Sequence, residues 1–180
     1  MPVPRVHIAS VVLVLALLST SCGYSLSGRG SFLPAYIRSV GVPQFINATT
    51  YFEIEQPFTE KIRSEFIGRG RYQVLPQDDA VDAVLRGTIL AVLIAPANFN
   101  DQQQASRYVI TVTMKIEFFD VKNNKNLWEN PAMVFRDEYD LPEEFQAGNP
   151  QAFLGQASNA LERLSADFAR TVVSAILEAF

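Results

Sequence analysis

The segment RYVITVTMKIEFF, starting at Arg107, alternates apolar and polar positions throughout its length. Tyr108, Ile110, Val112, Met114, Ile116 and Phe118 fall on one face. Val109, Thr111, Thr113, Lys115 and Glu117 fall on the other. A period of two predicts a β-strand with one face on a core and one in polar surroundings. DVKNNKN, which follows it, reads as a hairpin turn, because Asn and Asp tolerate left-handed backbone. LWENPAMVFRDEYDL then returns as a last strand, with Pro131 marking an edge position or a bulge. Upstream, VLRGTILAVLIA (residues 84–95) is apolar on both alternate faces. That predicts a strand buried on much of both sides and ended by Pro96. PANFNDQQQAS is its polar connection, and IRSVGVPQF and RYQVL are shorter strand candidates.

Elsewhere the period changes to that of a helix. Phe58, Ile62 and Phe66 recur every fourth residue between Pro57 and the stop signals Gly68 and Gly70. Arg69 lies near the negative end of that helix's dipole. A second helix is expected to open at Asn149-Pro150. Its stripe of Phe153, Ala157, Leu161, Leu164, Phe168, Val172 and Ile176 is suited to covering a sheet. The order of elements predicts an α+β fold. Two helices pack on one face of a four- to five-stranded, largely antiparallel sheet whose other face is polar.

The N-terminal apolar run, residues 8–18, is shorter than the ~20 residues that span a bilayer. It fits the apolar region of a secretory signal, with Arg5 before it and Ser19, Thr20 and Ser21 after it. Cys22 follows, and it is the only cysteine of the chain, so no internal disulfide forms. Small residues followed by a cysteine resemble the lipobox of bacterial lipoproteins, where the thiol takes diacylglycerol and the new amine is acylated. Ser19 stands where the lipobox usually has leucine, and an ordinary secretion signal is the competing reading. Several acyl chains, at ~0.8 kcal/mol per buried methylene, would anchor the protein stably. The expected organisation is a signal peptide over residues 1–21, a lipidated cysteine with a Gly/Ser-rich tether over 22–36, and one domain over 37–180.

Processing leaves 159 of the 180 residues, with 14 basic and 19 acidic side chains and a formal net charge of −5. That balance argues against nucleic-acid binding. His7, the only histidine, leaves with the signal, so triads, thiol proteases and histidine-ligated metal sites are not expected. Asp78, Asp79 and Asp82 have the spacing of the DDxxD magnesium motif. Such sites need a second acidic motif on a facing helix, which the chain lacks, and a solvated turn accounts for them. The pairs Asp137-Glu138 and Glu143-Glu144 read as surface charge rather than an acid/base pair. No catalytic residue, metal or cofactor is expected. The basic residues Arg107, Lys115, Lys122 and Lys125 are candidates for contacting an anionic lipid headgroup, which needs only a few converging cations.

Taken in order, CGYSL at Cys22, PFTEKIRSEFIGRGRYQVL, DAVLRGTI and RYVITVTMKIEF before a C-terminal helix resemble the lipopolysaccharide-assembly lipoproteins of the LptE family. The resemblance covers nearly all of the mature chain. It implies a non-catalytic lipoprotein on the periplasmic side of the outer membrane. Such a protein plugs a large β-barrel of the LptD kind, helps it assemble, and contacts lipopolysaccharide. In this chain Arg107, Lys115, Lys122 and Lys125 would make that contact. The alternative is a lipoprotein that regulates a peptidoglycan synthase, for which a longer linker after the cysteine would be expected.

Overall fold

The computed structural model describes residues 33–69, 71–99, 105–140 and 158–180. They belong to the unit Ser31–Phe180. The elements are β1 (Ser39–Gly41), β2 (Ile46–Asn47), α1 (Glu55–Gly68), β3 (Gln73–Leu75), β4 (Ala83–Phe99), β5 (Ala105–Asp120), β6 (Lys125–Asp140) and α2 (Ser158–Glu178).

The fold is α+β, as the patterns predict, but the sheet is mixed. It has six strands in the order β3-β1-β4-β5-β6, with β2 also paired to β4. Only β4–β5–β6 is antiparallel; β1, β2 and β3 join it through parallel pairs. The helix between β2 and β3 returns the chain to its starting end, so the short strands are parallel. In β5 the alternation is realised residue by residue: Tyr108, Ile110, Val112, Met114, Ile116 and Phe118 are buried. Pro131 falls in a bulge of the edge strand, where Met114 pairs with Met133 but Ile116 with Asn130. Pro96 does not end β4. It pairs with Tyr108, and the register shifts just beyond it, which removes the demand for its missing N–H.

α1 starts at Glu55, two residues before the expected proline, and Thr59 shows why. Its buried hydroxyl donates to the Glu55 carbonyl (2.7 Å) and accepts from the Phe45 amide (3.1 Å). Arg63 donates through Nε and Nη2 to the Val42 carbonyl at 2.9 and 2.8 Å. These bonds fix α1 on the sheet at a point where Phe58, Ile62 and Phe66 are fully buried. α2 is described from Ser158, so the expected start at Asn149-Pro150 lies outside the described residues. Leu164, Phe168, Val172 and Ile176 cover the same sheet face. Phe168 meets Phe45, Phe58 and Phe135 edge-on, with centroids at 6.0, 5.3 and 5.3 Å. Lys61 pairs with Glu162, and Arg69 with Ser174 (3.0 Å), so the two helices run parallel.

The acidic turn is structural. Asp82 Oδ2 accepts from the amides of Arg38 and Ser39 (both 2.9 Å) and from the Ser39 hydroxyl (2.8 Å). Asp78 faces Arg86 at 3.5 Å. The two backbone donors and the hydroxyl hold the Asp82 carboxyl below its ordinary value of 3.8. Burial opposes ionisation of Asp120, but hydrogen bonds from Tyr36 and Asn123 outweigh it and leave that carboxyl low as well. A carboxylate with a lowered native value contributes stability that is complete above its unfolded value and is lost as pH falls through the native one. The melting temperature is therefore expected to stay level from neutral pH to about 5 and to fall below about 4. Asp82→Asn should flatten that acid limb in a calorimetric pH series. An acid limb unchanged from wild type would show that Asp82 does not carry it.

Candidate functional site

Helices cover one face of the sheet; the other face is open over most of its length. At its lower end the connection from β3 to β4 crosses it, which explains why Val84 is fully buried while facing away from the helices. The close passage is visible at Gly41, where an added Cβ would lie 2.3 Å from the Gln77 carbonyl oxygen. Above Ile89 nothing described covers the open face of β4. The expectation of burial on both sides therefore holds for residues 83–85 alone; from Arg86 onward only the helix-side positions are buried, and Leu90 and Leu93 are 42% and 63% exposed.

Register places the open-face residues beside one another. Leu93 pairs with Thr111 and Ala91 with Thr113. On the next strand Thr113 pairs with Val134 and Thr111 with Arg136. Ile46, in β2, pairs with Thr88 on the same face. Ile46, Leu93 and Val134 are each more than half exposed, so the upper face carries apolar positions set among threonines. Two of the charges around them have partners: Lys115 with Glu117 (2.9 Å), and Arg107 with Asp140 (2.9 Å) and Glu138 (3.5 Å); Arg136, across from Thr111, is exposed. The Asp140 carboxylate raises the Arg107 guanidinium above its ordinary value.

The four predicted cations do not converge. Arg107 is near the start of β5, Lys115 is on its open face, and Lys122 and Lys125 are at the β5–β6 turn. At ~3.4 Å per residue, Arg107 and that turn lie roughly 45 Å apart. Lys122 Nζ stands 5.3 Å from the centroid of the Tyr36 ring. The Tyr36 hydroxyl donates to buried Asp120 and accepts from Asn123 Nδ2 (2.8 Å). The hydrogen bond to Asp120 is the main cause that raises Tyr36 above its ordinary 10.0. The Asn123 amide donates to Asp120 Oδ1 (3.0 Å), and Asn124 supplies the left-handed residue (φ 50°) that the turn composition predicted. Sequence reasoning named these lysines but missed the Tyr36–Asp120–Asn123 lock. Its members are 84 and 3 residues apart along the chain, and no local pattern links them.

Cys22 lies outside the described residues. Among the described residues no three His, Cys, Asp or Glu side chains are grouped to hold a metal, and no helix is long and apolar enough to cross a membrane. The family model described as "LptE: Lipopolysaccharide-assembly" matches residues 37–176. No curated protein sequence matches the chain. Among solved structures, the chain resembles uncharacterized lipoprotein B from Nitrosomonas europaea, with a TM-score of 0.50 and 10% identity over 83% of this chain and 87% of that one. Rare lipoprotein B from Shewanella oneidensis gives 0.46 and 10% over 77% and 96%. A minor lipoprotein from Acinetobacter baumannii gives 0.47 and 14% over 79% and 92%. At 10% identity the likeness to the Nitrosomonas europaea protein is one of fold alone.

Proposed function

We propose, because the chain belongs to the LptE lipopolysaccharide-assembly family, that it is a non-catalytic outer-membrane lipoprotein acylated on Cys22. It plugs a large β-barrel of the LptD kind, helps it assemble, and contacts lipopolysaccharide passing through.

The observation that carries this reading is the open sheet face. Exposed apolar positions, Ile46, Leu93 and Val134, spread among threonines and bordered by the paired charges Lys115 and Arg107, have the composition of an interface with a polar rim. A wide barrel has a polar lumen, and a face of threonines and paired charges enters it at low desolvation cost. Arg107, Lys115, Lys122 and Lys125 are too far apart for one headgroup pocket. Arg107 and Lys115 are assigned as separate single contacts to the glycolipid; Lys122 and Lys125 stand at the opposite end of β5 from Arg107.

Gently solubilised membranes containing the lipidated protein provide the test. A stoichiometric large β-barrel is expected to copurify with it. Leu93→Asp, at an exposed position, should leave stability within about 0.5 kcal/mol and reduce barrel recovery about tenfold or more. Cys22→Ala should move the protein out of the outer-membrane fraction. Recovery of a cell-wall synthase in place of a barrel would overturn the reading.

A further inference from the structure

The described chain enters the domain at the end where β5 turns into β6. Leu33 is buried in the core, and Tyr36, three residues on, is locked to Asp120 and Asn123 of the turn. Both helices also finish at this end. Phe66 stacks on Phe118 at the end of β5, with centroids 6.4 Å apart, and Arg69 reaches Ser174 in the last part of α2. The turn itself reads VKNNK (residues 121–125), with two lysines and no carboxylate. The acidic residues at this end include Asp120, which is buried and engaged by Tyr36 and Asn123. The Asp82 carbonyl accepts from the Val121 amide, and its carboxylate is taken by the Arg38 and Ser39 amides. Asp78 and Asp79 come before it, the first facing Arg86. Apolar side chains at this end of the fold are open to solvent: Val121 in the turn is 44% exposed, Ile67 beside Phe66 in α1 61%, and Phe180 just past α2 38%.

From Cys22 to Leu33 is eleven residues, which reach at most about 40 Å fully extended. An acyl anchor on Cys22 therefore keeps this end within about 40 Å of the bilayer, whereas the opposite end of β5 lies roughly 45 Å further along the strand. We infer that the β5–β6 turn, with Lys122 and Lys125 as its charges, rests on the anionic phospholipid headgroups of the membrane in which the protein is anchored. This inference rests on the acylation of Cys22 proposed above. The lysines supply attraction to anionic lipid, and the exposed apolar side chains at the same end, Val121 foremost, supply shallow burial in the interface. The ring of Tyr36 offers Lys122 a cation–π contact that biases its side chain toward this end.

Cys22 is the only cysteine, so once it is acylated a cysteine introduced elsewhere carries the only reactive thiol. The full lipidated chain would be reconstituted in vesicles of phosphatidylethanolamine with phosphatidylglycerol. A fluorophore would be attached at Val121→Cys or, at the far end, at Asn98→Cys. Headgroup-labelled quencher lipid should quench the first and spare the second. Lys122→Gln and Lys125→Gln should each lower the docked-to-free ratio about fivefold at low salt, and phosphatidylcholine vesicles or salt near 1 M should abolish docking. A protein that fails to float with the vesicles would overturn the anchor and the docking together. A protein that floats but shows equal quenching at both positions, or quenching indifferent to the lysines, would overturn the docking alone.

Discussion

Phe168→Ala should lower the unfolding free energy by about 4 kcal/mol, the largest single effect expected in the domain. Phe168 is fully buried at the centre of α2 and presents its ring to Phe45 from the β1–β2 region, Phe58 from α1 and Phe135 from β6. Truncation loses the transfer energy of a large side chain and opens a cavity. The walls of that cavity belong to three separate elements, so it cannot collapse without moving them. Each edge-on aromatic pair adds about 0.5–1.5 kcal/mol beyond area burial. Denaturant unfolding of the mature chain measures the loss. A decrease below about 1.5 kcal/mol, the size expected for a volume-conserving swap, would mean that this cluster is not the packed centre of the fold.

Gly87→Ala should be the second largest effect, and it comes from added rather than lost volume. The position faces the core, and a Cβ built there lies 2.6 Å from Cδ2 and Cε2 of Phe45 and 2.7 Å from its Cγ. Phe45 cannot swing away freely, because its ring already meets Phe168 on another side and its amide is bonded to Thr59. Overpacking of this kind costs about 1–3 kcal/mol. Phe45→Leu gives a smaller, more adaptable neighbour, so the double variant should be more stable than the sum of the two single effects predicts. Strict additivity in that cycle would show that the two positions do not touch.

Both predictions concern residues whose identity was plain in the chain but whose importance was not. Phe168 was legible as one member of a helical stripe, with no sign that three rings converge on it. Gly87 sits within the apolar segment 84–95 with nothing local to single it out; only the proximity of Phe45 explains why a side chain is absent there. The acidic turn shows the same divide. Spacing suggested metal chemistry or a solvated turn, and the structure uses Asp82 to hold the start of β1 to the start of β4.

The open face was partly legible. The polar half of β5 was read from its alternation, and it does face away from the helices. That Leu93, Val134 and Ile46 share the open face was not seen, because they come from three strands and are placed on one face only through register. The candidate cations were named from the chain, but the ion pairs of Arg107 and Lys115 and the separation of the four along β5 required the pairing of strands.

The sequence by itself determined which segments are helix and which are long strand, because a side chain's face is set by a local period of two or 3.6 residues. It also determined the turn at residues 121–124, where Asn124 adopts the left-handed backbone it tolerates. The tertiary structure alone decided that β1, β2 and β3 are parallel additions to an antiparallel ribbon. It alone decided that Tyr36 locks the β5–β6 turn and that one half of the free sheet face stays bare. Those outcomes depend on contacts between residues tens of positions apart. Their free energies come from packing and register, which no stretch of neighbouring residues encodes.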